Sequence, residues 1–213
     1  AKRGRKDTAK AMVRQVERAR QPGLIALGIL GGKDAKGYLT SLRKKQGDGP
    51  AYVARDIALA LAGDKAAWRA LKTTLAKRSR PDRRALSLMA FFSANPKAAK
   101  KAAKLLKSFD KKWSKESEEM WALSIAVRAQ LGDKKAIKTA AKLIDSPDKS
   151  VREQVIKGVG GDFGNVWSGM IGFGVVADAS LLPALAEAHA NESKKDLRKR
   201  IGHAMLSIRA ATR

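Results

Sequence analysis

Apolar residues recur three and four positions apart along almost the whole chain, and no stretch alternates with the period of two that a strand requires. Residues 97–107 show the pattern most clearly. Ala99, Ala102, Ala103 and Leu106 mark one side of a helix, and Lys97, Lys100, Lys104 and Lys107 mark another. The same partition recurs from Asp64, with cations at Lys65, Arg69 and Lys72, and over 133–145, with Lys134, Lys138 and Lys142. Helix breakers punctuate the chain: QPG at 21–23, GGKD at 31–34, GDGP at 47–50, GD at 63–64, RPD at 80–82 and NP at 95–96. GD at 132–133, SPD at 146–148, the Gly-rich 158–174 and NESKK at 191–195 follow. The runs between them are about 11–16 residues long, enough for three or four helical turns each. Asp34, Asp64, Asp133 and Asp178 stand where an N-cap belongs, and Pro50, Pro81 and Pro96 suit a first turn.

These helices come in pairs. Pairs open near Asp34, Asp64, Pro96, Asp133 and Asp178, roughly 30, 32, 37 and 45 residues apart, the range of helical repeats. The segments GDKAAWRALKTTLA, GDKKAIKTAAKLID and ADASLLPALAEAHA share a small residue and an Asp ahead of apolar positions three and four apart. Their successors SPDKSVREQVIKGVG, GDGPAYVARDIALALAG and SKKDLRKRIGHAMLSI also look alike.

On these segments the chain resembles the HEAT-repeat family, in the short bacterial variety also found in phycobilisome-lyase-like proteins. The match is best over AIKTAAKLIDSPDKSVREQVIKGVG, residues 136–160, with its short turn, Asp148 and Val151-Arg152. It weakens around Val53–Arg55 and Leu197-Arg198, and at 81–93 only the Pro-Asp turn is kept. The resemblance spans about residues 22–211 of the chain. It implies an all-α αα-superhelix: a HEAT-like solenoid of about five antiparallel helix pairs, first helices on the convex side and second helices on the concave. Residues 1–21 then form a basic N-terminal helix or arm and 22–213 the repeat domain, with a Gly-rich elbow at 158–174 that lengthens one repeat.

Composition changes the picture in one respect. The chain is 44% hydrophobic, enough to build a core, yet 45 Lys and Arg against 20 Asp and Glu leave a formal net charge of +25. A folded surface that basic attracts polyanions over a Debye length of about 8 Å. With no cysteine, disulfides, thiolate metal sites and Cys nucleophiles are excluded. No apolar run reaches the roughly 20 residues needed to cross a bilayer. The first twenty residues are too charged for a signal peptide's apolar core. The missing initial Met fits Met removal and presequence cleavage equally; the expectation is a cytoplasmic protein.

Two classes of cation present themselves. The Lys stripes of the first helices, Lys97, Lys100 and Lys104 above all, read singly as solvated faces but recur from helix to helix. The second helices carry Arg instead: Arg55, Arg83, Arg84, Arg128, Arg152, Arg198 and Arg200. Arg offers a planar fork to phosphate or carboxylate, whereas Lys is a hydrated point charge. The HEAT resemblance implies an alternative role for Arg152, pairing with the turn residue Asp148 to join neighbouring repeats. Trp68 and Trp121 sit on apolar faces and belong to the core. Trp113, among Lys111, Lys112 and Lys115 in what reads as a loop, either stacks on a base or covers the end of a helix pair.

Other chemistry is thinly signalled. His189 and His203 lack a second ligand at metal spacing, so no metal is expected, nor any cofactor or catalytic residue. The run GVGGDFGNVWSGMIGFG has no Walker lysine. Alkylpurine DNA glycosylases share the HEAT-like architecture and would need an Asp near aromatics. No Trp here has an Asp one turn after it, which leaves Asp56 and Asp162 as the acids to inspect. Residues 161–190 contain neither Lys nor Arg, so Phe163, Trp167, Met170 and Phe173 form a candidate docking patch for a protein. The expected function is a non-enzymatic scaffold that binds a polyanion, nucleic acid first, through phosphate contacts. The alternatives are an adaptor that grips an acidic protein and, third, the glycosylase.

Overall fold

A computed structural model describes residues 21–46, 52–76, 83–161, 176 and 178–213 (for 21, 22 and 84, the backbone alone), and among these every regular element is helical. The helices are α1 (Gln21–Leu30), α2 (Gly32–Gln46), α3 (Val53–Leu61), α4 (Lys65–Ala76), α5 (Arg83–Leu88), α6 (Pro96–Lys107) and α7 (Asp110–Glu116). They continue with α8 (Glu118–Gln130), α9 (Lys134–Leu143), α10 (Lys149–Val159), α11 (Leu182–Asn191) and α12 (Lys195–Ala211). Two 3-10 helices, Met89–Ala94 and Ala179–Leu181, extend α5 and precede α11.

The helix boundaries follow from local chemistry. At Gly63-Asp64 and Gly132-Asp133 the Gly adopts φ of 84° and 80°, the left-handed region that ends a helix at little cost to a residue without Cβ. The Asp that follows then starts the next helix: Asp64 Oδ1 accepts from Ala67 N at 2.9 Å, and Asp133 Oδ1 from Lys135 N at 3.0 Å. Asn95 caps α6 through Lys97 N and Ala98 N, with Pro96 in its first turn, and Asp148 and Asp178 cap α10 and the Ala179–Leu181 turn. Asp34 differs from expectation. Because α2 begins at Gly32, it lies inside the first turn, where its charge complements the helix dipole.

The described residues fall into two compact units, one ending at Leu71 and the other beginning at Lys72. In the first, α1 packs on α2 and α3, and α2 on α3. All of Val53–Ala60 is buried, so α3 is its central helix. Gly28 lets α1 approach, since a Cβ there would meet Ala58 Cα at 2.5 Å.

In the second unit α8 packs on α5, α6, α7, α9 and α10, while α10 and α11 both pack on α12. Helices α5, α8, α10 and α12 thus touch in that order. Their core joins Ile125, Ala126 and Ala129 of α8 to Ile137 and Ala140 of α9, Val151 and Val155 of α10, Leu185 of α11 and Ile201 and Ile208 of α12. Two segments depart from expectation. The helix read over 81–93 shortens to α5 and tightens into a 3-10 turn that buries Met89, Phe91 and Phe92. The expected elbow does not begin at 158: α10 runs through Val159, with Gly158 facing Ala126 and its carbonyl accepting from Gln130 Nε2.

Candidate polyanion-binding surface

The arginines of the second helices are largely engaged within the protein. Arg55, only 1% exposed, donates from Nε and Nη2 to Asp56 Oδ1 at 3.1 and 2.8 Å and from Nη1 to Gln46 at 3.3 Å. Its guanidinium also lies 4.8 Å from the centre of the Tyr52 ring. Arg128, 2% exposed, donates twice to Asp133 Oδ2, at 3.0 and 2.7 Å, and once to Asp110 Oδ2. It joins α8 to the starts of both α7 and α9. Burial alone raises the Asp133 carboxyl, but the hydrogen bond and charge of Arg128, with the amides of Ala136 and Lys135, hold it below the usual carboxylate value.

Arg152 does not pair with Asp148 as expected but has other partners. Its Nη1 donates to the carbonyls of Ser146 and Pro147 at 2.7 and 3.1 Å, and its Nη2 lies 3.8 Å from Glu192, at the end of α11. Asp148 instead caps its own helix. The Ser150 hydroxyl first, then the Val151 and Ser150 amides, hold its carboxyl low. Arg198 donates to the Glu192 carbonyl at 2.8 Å, and Arg83, although exposed, pairs with Glu119. Arg200 is exposed on α12. The Arg84 side chain lies outside the described residues, as do Phe163, Trp167, Met170, Phe173 and Asp162.

Trp113 belongs to a helix, α7, and not to a loop. It is fully buried and stacks on Phe109 with ring centres 4.9 Å apart and 17° between planes. That position closes off any contact with a base. Trp121 packs half-buried against the core of the second unit. Asp56 is as buried as Arg55, its ion-pair partner, so it offers no carboxylate to an incoming sugar.

The lysines behave differently. Lys97, Lys100, Lys104 and Lys107 are all exposed, while Ala98, Ala99, Ala102, Ala103 and Leu106 line the buried side of α6. Neither α6 nor α9 contains an acidic residue, and among the described residues no carboxylate pairs with Lys97, Lys100, Lys104 or Lys111. Lys112 is partly used: its Nζ donates to the Ala76 carbonyl at 3.2 Å and lies 4.0 Å from Glu116. On α9, Lys138 and Lys142 are exposed, and Lys134 pairs with Asp178 at 3.2 Å. Lys65, Arg69 and Lys72 are exposed on α4.

Two cationic features lie outside those picked from the sequence. An open depression of about 380 Å³ runs along α2 between Lys33, Lys36, Thr40 and Lys44. The side chains of Lys149 and Lys194 lie beside each other. That contact, with Glu153 at 3.4 Å, raises Lys149, and the same neighbour holds Lys194 below the ordinary lysine value. The lysine spacing on α2 was a usable signal for the first. For the second there was none, because its members are 45 residues apart.

Among the described residues no cluster of His, Asp or Glu is arranged to hold a metal ion, and no helix is long and apolar enough to cross a membrane. Comparison with family models, with curated proteins and with solved structures returned no match.

Proposed function

We propose that this chain is a HEAT-like αα-solenoid that acts as a scaffold for nucleic acid, held through phosphate contacts without base readout and without catalysis. The repeat reading draws on the order in which α5, α8, α10 and α12 pack and on the recurring Gly-Asp turns. Two of the junctions carry a cation: Arg128 reaches Asp110 and Asp133, and Arg152 reaches Glu192.

One observation carries the binding reading. The lysines of α6 form an exposed stripe on a helix with no acid of its own, in a protein with an excess of 25 positive charges. Ammonium groups that are not neutralised internally can replace the cations condensed on a nucleic acid's phosphates at little structural cost. Point charges without forks secure phosphates but do not distinguish bases, so binding is general.

The test is a salt titration of a fluorescent mixed-sequence oligonucleotide by anisotropy. Log affinity falls linearly with log salt, steeply enough to count several contacts at about 0.9 each. A slope below one overturns the reading. Binding confined to an acidic protein, with nucleic acid left free at low salt, replaces it with the adaptor.

A further inference from the structure

We infer that the corner between α1 and α2 is a membrane contact, where Leu30 enters the interface of an anionic bilayer and the lysines along α2 hold its headgroup phosphates. The inference goes beyond the nucleic-acid reading and draws on neither α6 nor its lysines. Helix α1 is apolar all round. From Gln21 to Gly32 no residue is charged, whereas a helix on the surface of a globular protein ordinarily turns a charged face outward. One side of α1 is accounted for, since Ile25 is fully buried and Gly28 lies against Ala58. The other side is not. Leu30 is 81% exposed and Ile29 36%, two of the three large apolar side chains left open among the described residues.

Leu30 stands beside the Gly31-Gly32 corner, whose glycines adopt φ of 66° and 88° and have nothing within 4 Å of a Cβ position. It projects from an open corner and lines no groove. A protein partner holds such a side chain in a matched, well-packed pocket. A bilayer takes it without one, because the acyl boundary is fluid.

The surrounding charge selects an anionic surface. The open depression on α2 begins at Lys33, three residues past Leu30, and continues along Lys36 and Lys44 with Thr40 and Ser41 between them. Residues 1–20 contain eight Lys and Arg against two acids, and residues 33–46 five against one. An uncharged apolar run between two basic ones suits a segment that lies in a bilayer interface, its cations on anionic lipid and its apolar residues at the acyl boundary. At ten residues, about 15 Å, α1 lies on the membrane and does not span it. A single leucine inserts weakly and clustered lysines attract without entering, so the contact needs both.

The experiment uses the full chain with vesicles of phosphatidylcholine alone or of an equal mixture of phosphatidylcholine and phosphatidylserine. The chain has no cysteine, so Leu30→Cys carries a single environment-sensitive fluorophore at the corner, and Lys104→Cys carries it on α6 as a control. Emission from position 30 is expected to move to the blue on the mixed vesicles and not on phosphatidylcholine alone, with the control unshifted on both. In the unlabelled chain, Leu30→Ser weakens co-sedimentation with mixed vesicles about tenfold, and K33Q/K36Q/K44Q weakens it by more than about tenfold. Binding to mixed vesicles with position 30 unshifted assigns the attraction to charge alone and overturns the inference, leaving the nucleic-acid reading untouched. A label already blue-shifted before vesicles are added shows Leu30 covered by another segment of this chain or by a second copy, and overturns it as well. So does an unaltered affinity in Leu30→Ser, or failure to bind the mixed vesicles at all.

Discussion

Helices α6 and α8 pack against each other and both carry cations, but the two sets of charge do opposite things. On α6 five lysines are exposed, four of them in one stripe, with no carboxylate on their helix. On α8 the single Arg128 is 2% exposed and locked between Asp110 and Asp133. A formal count of positive residues treats these alike. Physically, the guanidinium of α8 is a structural part that holds three helix ends, and its charge is cancelled where it stands. On α6, Lys97, Lys100 and Lys104 are exposed, and among the described residues no carboxylate pairs with them. The cations of these two helices are therefore divided, the arginine of α8 to internal pairing and the lysines of α6 to the exposed face.

The sharpest way to break this contrast is Arg128→Ala. Removing one partner of a buried, hydrogen-bonded charge network costs about 3–5 kcal/mol, because Asp110 and Asp133 are left uncompensated. Thermal unfolding followed by circular dichroism shows it as a large fall in Tm. Arg128→Lys recovers only part, since an ammonium cannot span both carboxylates with the fork that Arg128 uses. A normal Tm for Arg128→Ala removes the structural half of the comparison.

Acid provides a second, smaller lever. Asp133, Asp148 and Asp178 are all held below the ordinary value of 3.8 in the folded chain. Stability from a depressed carboxylate is complete above its unfolded value and is lost as pH falls through the folded one. Tm is expected to hold steady above about pH 5 and to decline as pH drops below 4. The decline is shallower in Arg128→Ala, where the main cause of the Asp133 shift is gone. The smallest effect belongs to Lys100→Gln, with a change in stability within about 0.5 kcal/mol. A larger loss there would mean that the α6 lysines serve the fold after all.

Much of this architecture was written locally. The Gly-Asp turns, the Asn95-Pro96 helix start and the two faces of α6 each depend on neighbours within a turn or two, and the sequence pattern states them directly. Arg128 was legible only as a cation, because Asp110 lies 18 residues away and reaches it through tertiary packing. Arg152 was expected to pair with the nearby Asp148, but that carboxylate is occupied by its own helix, and Arg152 reaches Glu192, 40 residues downstream, instead. Trp113 misled for a different reason. In the short, lysine-rich segment 110–116 the apolar period is a single residue, too little to reveal a helix that buries its one aromatic.

Asp133 divides its two oxygens: Oδ1 starts α9, and Oδ2 grips the arginine of α8. One side chain thus makes the onset of a helix conditional on where its predecessor has settled. Asp133→Asn keeps an acceptor for the amides but loses the anionic grip, uncoupling the two events.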